Sequence, residues 1–459
     1  MADHRGNKID RPQSVGIPGM IFRVVFITFV ALILAAVIVQ DYTDVLPLGL
    51  MNAQFERYRI FSALCLVFCL AALGVLVAEA VLSRPARSAG LAGFARMIRG
   101  ALVFLVILEG LLIATDSFLE ARPDINLLGG PYREIHTDSG ERLILSKPNS
   151  NSRFGFRTNH PYERVVEFPR VLFLGDSYTQ GSGRSEECNY PDVVERVLRS
   201  GFGRDVEVMN AGVSGYGPAE AKALLGELRH IGYTFDAVVY NFFIENDFTD
   251  NLPGTERRVV AGISLRFPES WFLRTFHPFN TRVVRWSLFA RALLKLRRAT
   301  DEFGPVSEGP CDLTPRPVIG VSAFLARMVE NGLVGIARAA SSSLAMEETV
   351  ARILAMKQEA DDLGVPFALV IFPDRILADS ELAGELEFDP DRLEPSRVLR
   401  AYLFEHLPGV TIWDTTELLR GHTGMYRLND THLSDAGNVV VGEWVGERLV
   451  RDGGWAQWR

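Results

Sequence analysis

The chain has 459 residues, 48 % of them hydrophobic, with 48 Lys and Arg set against 56 Asp and Glu for a formal charge of -8. That balance argues against a general nucleic-acid binder, while the positive mean hydropathy is high for a purely soluble protein. The length allows a domain of ordinary core size with something extra. The four cysteines lack metal-ligand spacing and give no zinc site or disulfide framework. Cys65 and Cys69 lie in an apolar run and read as packing residues; Cys188 and Cys311 fall later, where only export opens a disulfide to them.

The excess hydropathy sits at the N-terminus, in three apolar runs at 24–39, 61–82 and 101–114. The second is long enough to span a bilayer alone, and the other two reach spanning length with their neighbours. Run one has no convincing small-residue cleavage site and two more follow it, so residues 1–120 read as an uncleaved membrane domain with three transmembrane helices. Arg5, Lys8, Arg11 and Arg23 precede the first run, and Arg84, Arg87, Arg96 and Arg99 lie between the second and third. The first connection has only Arg57 and Arg59. This bias places the N-terminus in the cytoplasm, and three crossings then put everything after residue 120 outside the inner membrane. Glu109 falls inside the third run; a carboxyl hydrogen-bonded to a neighbouring helix is preferred there to an ion pathway, since no second charge lies near that depth.

Residues 121–164 read as a connecting region, with loop signals at Pro123, Gly129-Gly130-Pro131 and 147–152. From 165 to 459 short apolar strands alternate with helical patterns. Strands are expected near 170–174, 206–209, 236–243, 366–372 and 410–413, and helices near 190–200, 217–231, 344–363, 396–407 and 435–451. Such alternation predicts an α/β domain with a parallel sheet covered on both faces. The long gap between the third and fourth strands predicts an insertion at about 252–340.

The chemistry gathers where these strands end. Ser177 follows the buried run Val171–Leu174 at the edge where open α/β sheets place ligands. A serine hydroxyl needs a base within hydrogen-bond reach and donors aimed at the oxyanion it creates. The turn-rich stretch Asn210–Gly217 after the second strand offers backbone N–H groups at Gly212, and Asn246 after the third offers a side-chain amide. Taken singly, each is also an ordinary turn. Among eight histidines His432 stands out: it follows the fifth strand and lies immediately before the last helix, whose N-cap is expected at Ser434.

In order, GDSYTQG, NAGVSGYG, END and NDTHLS resemble the four blocks of the SGNH/GDSL hydrolase superfamily, over about residues 165–451 with the insertion unmatched. The resemblance implies a three-layer α/β/α flavodoxin-like fold with a five-stranded parallel sheet. It implies Ser177 as nucleophile, His432 as base and then acid, and an oxyanion hole of Ser177 N–H, Gly212 N–H and Asn246 Nδ2. Two positions depart from the pattern. Ile244 stands where the third block usually has glycine, and Asn429 stands where the orienting acid usually precedes histidine by three. Asp430, two before His432, matches the spacing of some membrane-associated polysaccharide acetyltransferases and is the expected orienting acid; a Ser-His dyad held by a backbone carbonyl is the alternative. Asp176 and Asp247 are assigned structural roles at the site rim.

Within the insertion, 271–298 interleaves seven basic residues with Trp271, Phe272, Phe276, Phe279, Trp286 and Phe289 and contains no acid. Residues 281–298 fit a basic amphipathic helix for an anionic membrane surface or a cover over the site, a reading preferred because the domain is already tethered to the bilayer; the alternative is a helix packed on the domain with its charges solvated. Three functions are in view: a membrane-anchored serine esterase acting on acyl esters of envelope glycan or lipid, an O-acyltransferase modifying an envelope polysaccharide, and a non-catalytic binding module. Neither enzyme reading requires a metal or organic cofactor.

Overall fold

Strand β3 (Arg170–Leu174) shows why the fold is layered. Val171 and Phe173 point into one apolar cluster, Leu172 and Leu174 into another, and all are fully buried. A strand buried on both faces reads as an unbroken apolar run, as a parallel strand between two helical layers must. The computed structural model describes residues 132–137, 140–146, 154–158, 160–181, 188–250, 257–260, 263–266, 311, 313–314, 318, 320–428 and 430–451. The three apolar runs, Glu109 and the basic segment 271–298 lie outside them. Among the described residues no helix is long and apolar enough to cross a membrane.

In chain order come β1 (Tyr132–His136), β2 (Arg142–Ser146), β3, α1 (Ser177–Gln180), α2 (Tyr190–Phe202), β4 (Glu207–Asn210), α3 (Pro218–His230), β5 (Ala237–Phe243) and α4 (Asp247–Asp250). Then follow β6 (Arg257–Val260), β7 (Ile263–Arg266), α5 (Ala323–Ala340), α6 (Ser343–Asp362), β8 (Phe367–Phe372), α7 (Arg375–Ala378) and α8 (Ser380–Glu385). The chain closes with α9 (Glu394–His406), β9 (Thr411–Asp414), α10 (Thr416–Arg420) and α11 (Asp435–Arg451).

The central sheet has the order β4-β3-β5-β8-β9, with every neighbour parallel. That is the doubly wound order in which the connection reverses direction beside the first strand, and the crevice at that reversal opens outside the strands' C-terminal ends. Helices α3, α6 and α9 bury Leu224, Ile353 and Leu399 on one face; α2 and α11 bury Val194 and Val445 on the other. Glycines let α2 and α11 approach closely: a Cβ at Gly442 would lie 2.5 Å from that of Val193, and one at Gly446 2.7 Å from that of Val197. The sheet's opposite edge is closed by Arg170, fully buried, which ion-pairs with Glu207 and donates to the Thr234 carbonyl at 3.1 Å.

Beyond the expected elements, residues of the connecting region form the antiparallel hairpin β1–β2. Inside the span of the insertion lie a second hairpin, β6–β7, and helix α5. Ser322 Oγ caps α5 by accepting the Leu325 N–H at 3.1 Å, and the helix buries Leu325, Val329 and Leu333 against Ile376, Leu377, Leu382 and Leu393. Cys188 and Cys311, open to pairing only on export by the sequence reading, are joined by a disulfide with Cα atoms 5.6 Å apart.

Candidate active site

The nucleophile turn is built by its neighbours. Gly175 leaves β3 at φ +152, and a Cβ there would lie 2.3 Å from Thr179 Oγ1 and 2.8 Å from Asn241 Cβ, so no side chain fits. Asp176 caps the following turn, Oδ1 accepting the Tyr178 N–H at 2.9 Å and the Asn241 amide at 3.2 Å. Together these turn Ser177 out at the sheet's C-terminal edge as the first residue of α1.

The structure brings the three residues of the expected relay together. Ser177 Oγ and His432 Nε2 are 2.7 Å apart, although 255 positions separate them in the chain. His432 Nδ1 lies 2.8 Å from Asp430 Oδ1, which also accepts the His432 backbone N–H at 3.3 Å. Asp430 Oδ2 accepts from Arg427 Nη1 at 3.1 Å. Burial alone would raise the Asp430 pKa; the His432 charge and hydrogen bonds, with the Arg427 guanidinium, overcome it and hold the carboxyl at about 2. An ionised acid on Nδ1 fixes the tautomer that leaves Nε2 free to take a proton from Ser177. Tyr178 fastens the two halves: its hydroxyl donates to the Thr431 carbonyl at 2.6 Å, and its ring lies 5.1 Å from that of His432. Burial holds the Tyr178 pKa well above that of an ordinary tyrosine, so it keeps this proton.

The expected oxyanion donors are arranged differently. The Gly212 N–H donates to Asn210 Oδ1 at 3.1 Å, because the asparagine closes an Asx turn on its own chain. Gly212 is packed so tightly behind the nucleophile turn that a Cβ there would meet Gln180 N at 2.4 Å. Asn246 Nδ2 donates to Asp250 Oδ2 at 2.7 Å, which commits one of its two amide hydrogens. Asp176 and Asp247, expected at the rim, are instead buried beneath it. Asp247 Oδ2 accepts the Phe243 N–H at 3.0 Å and the Tyr240 hydroxyl at 3.2 Å, pinning the turn that carries Asn246. Burial raises the pKa of both carboxyls, that of Asp176 to about 6.

Sequence reasoning missed Tyr178, Arg375, Arg427 and Glu245. Tyr178 adjoins the serine and Arg427 lies three residues before Asp430, so proximity was a signal for those two. Glu245 opens the END block beside Asn246 and so carried the same signal, whereas Arg375 gave none. The Glu245 carboxyl lies where a Cβ on Gly332 of α5 would be 2.4 Å from it; burial, with Asp374, Asp430 and Asp176 nearby, pushes its pKa up to about 8. Among the described residues no group of His, Cys, Asp and Glu is arranged to hold a metal ion.

A serine hydroxyl, an imidazole and an ionised carboxylate in line, at the C-terminal edge of a doubly wound parallel sheet, define the class of sites that activate serine as a nucleophile. No family model matches the chain, and no curated protein does. Solved structures similar to it include a G-D-S-L family protein from Desulfitobacterium hafniense DCB-2, at 12 % identity and a TM-score of 0.30, covering 61 % of this chain and 98 % of that one. The lipase Lip_vut3 from a goat rumen metagenome is similar at 13 % identity and a TM-score of 0.34, covering 62 % and 97 %. A carbohydrate acetylesterase family member from Sinorhizobium meliloti is similar at 14 % identity and a TM-score of 0.28, covering 62 % and 99 %.

Proposed function

We propose that the chain is a membrane-anchored serine esterase of the SGNH/GDSL type, cleaving acyl esters of envelope glycan or lipid. The observation that carries this reading is the continuous Ser177–His432–Asp430 relay, with links of 2.7 and 2.8 Å. In it, His432 Nε2 takes the Ser177 proton as Oγ attacks the ester carbonyl, and Asp430 stabilises the imidazolium. The tetrahedral oxyanion draws on the Ser177 N–H at the start of α1 and the second amide hydrogen of Asn246; Gly212 N–H joins them by releasing Asn210. Collapse breaks the bond to the alcohol oxygen, which takes the proton back from His432. Water, deprotonated by the same histidine, then frees the acid and restores Ser177.

Two features support the envelope location: the basic bias around the N-terminal runs, and the Cys188–Cys311 bond, a pairing that persists in oxidising compartments. The test is labelling by a fluorophosphonate probe and turnover of short aryl esters. Both should vanish in Ser177→Ala while the melting temperature holds; a Ser177→Ala protein that still labels and turns over refutes the reading.

An O-acyltransferase is the second reading. Asp430 precedes His432 by two positions, the spacing noted for membrane-associated polysaccharide acetyltransferases, and that favours it. If acceptor sugars divert the acyl group from water, the acyl-serine is being discharged to a hydroxyl and the second reading replaces the first.

A further inference from the structure

The loop bearing Asp430 and His432 is closed at its base by the bridge between Tyr426 and Leu433 and by the Arg427 N–H donating to the His432 carbonyl at 3.0 Å. Inside it, the carbonyls of Arg427 and Asp430 both accept hydrogen bonds from outside the loop. One side chain supplies both. Arg375, at the start of α7 just beyond β8, sends Nη1 to Arg427 O at 2.5 Å and to Asp430 O at 2.6 Å. Its Nε donates to Asp379 Oδ2 at 2.9 Å, and its guanidinium lies 5.3 Å from the centre of the Tyr426 ring. The residue is only 2 % exposed.

A charge so enclosed is strongly unfavourable unless paired and fully hydrogen-bonded. Asp379 meets the first need, and the two loop carbonyls meet much of the second. Three of the four contacts named (Arg427, Asp430 and Tyr426) belong to the segment that presents the acid and base. These contacts are to the backbone, a carboxylate and a ring beside the relay, so the effect of Arg375 passes through Asp430. Arg427 holds one carboxylate oxygen of Asp430 while Arg375 holds its backbone, which sets the depth and tilt at which the other oxygen meets His432.

Resting on the esterase reading for its kinetic consequence, we infer that Arg375 is a positioning residue of the Ser-His-Asp relay, fixing Asp430 through the carbonyls of the loop. A lysine cannot reproduce the arrangement: its ammonium lacks the planar fork that serves two carbonyls and a carboxylate together.

The test compares full-length wild type, Arg375→Lys, Arg375→Ala and Asp379→Asn in aryl acetate turnover across pH, and in the low-field proton resonance of the His432 Nδ1–H. Arg375→Lys should lower kcat about 10²-fold, the scale of a misplacement near 1 Å, with KM nearly unchanged. Millimolar guanidinium should restore much of the kcat of Arg375→Ala, and the low-field resonance should shift or broaden in both variants. Full kcat and an unmoved resonance in Arg375→Lys overturn the inference. So does a loss that follows only the folded fraction and resists guanidinium. If Arg375→Ala does not fold, Asp379→Asn decides: a displaced acid limb of the pH profile with an altered resonance supports positioning, and an unchanged pair refutes it. If wild type itself turns nothing over, the esterase reading falls, and the resonance still tests the role of Arg375.

Discussion

Replacing Asp430 with asparagine removes one charge and alters no shape, so its effect can be worked from the contacts. The carboxylate accepts from His432 Nδ1 at 2.8 Å and His432 N at 3.3 Å on one oxygen, and from Arg427 Nη1 at 3.1 Å on the other. An amide has one acceptor and one donor end. With its oxygen toward His432, its NH2 faces the Arg427 cation, and the imidazolium formed in the reaction loses its counter-charge. With its oxygen toward Arg427, its NH2 confronts Nδ1 and forces the proton onto Nε2, the atom that must accept it from Ser177. The partly buried Arg427 favours the second orientation, which is the wrong tautomer and drops kcat about 10⁴-fold, or about 5.5 kcal/mol of transition-state stabilisation. Asp430→Asn should therefore show that loss in aryl acetate turnover at saturating substrate. Adding Arg427→Ala should recover part of it by freeing the amide to turn. An Asp430→Asn enzyme keeping more than about a tenth of wild-type kcat refutes the relay, since a tenth is only about 1.4 kcal/mol. A double variant no better than the single refutes the part given to Arg427. The same carboxyl, held at about 2 against an ordinary value of 3.8, contributes about 2 kcal/mol of stability above pH 4 that disappears as pH falls toward 2.

Gly212→Ala places a Cβ 2.4 Å from Gln180 N and 2.7 Å from Thr179 C. Both are backbone atoms that cannot swing aside, so urea unfolding should show a loss of about 1–3 kcal/mol, with turnover falling as the nucleophile turn shifts; unchanged stability refutes the close packing. Cys188→Ser, or reductant, opens a link between residues 123 positions apart and should lower stability by about 2–4 kcal/mol; a melting temperature indifferent to reductant refutes the bond. Glu245 has its pKa raised from 4.5 to about 8 by burial and neighbouring carboxylates, so the folded state holds a proton there that the unfolded chain releases. Its contribution is present in full below about pH 4.5 and is lost as pH rises toward about 8. Glu245→Gln should flatten the fall in stability across that window, and an unaltered slope in denaturant titrations would assign the fall to other groups.

Much of the fold could be read because the three inner strands, β3, β5 and β8, are largely apolar runs buried on both faces, a pattern that needs no partner to be seen. Thus β5, expected near 236–243, spans Ala237–Phe243, and α11 spans Asp435–Arg451 as expected. The hairpin β1–β2 escaped notice because its five-residue strands, YREIH and RLILS, show no regular alternation and lie in a stretch dominated by loop signals. Helix α5 was overlooked because its apolar positions were counted within an unmatched insertion, although Ser322 provides an N-cap. Ser177 and His432 stood out through their places after strands. Asp430 was chosen because Asn429, at the usual position, is not an acid and a spacing of two occurs in similar proteins; its contacts to Nδ1 and Arg427 supply the physical reason. The engagement of Gly212 N–H and Asn246 Nδ2 by Asn210 and Asp250 was not legible, since a donor's actual acceptor depends on side-chain rotation and not on sequence order. Arg375 was invisible for a similar reason: its partners lie 52 and 55 positions away.

Acid and base ride on the same short loop, so they travel as a cartridge. One distant docking step then joins nucleophile, base and acid: the seating of that cartridge against the turn after β3. The Tyr178 hydroxyl on the Thr431 carbonyl is a latch placed one residue from each of the reacting groups. Grafts or indels at the exposed turn 421–423 should be survivable so long as the latch closes, whereas a change of one residue within the loop would scramble both partners at once.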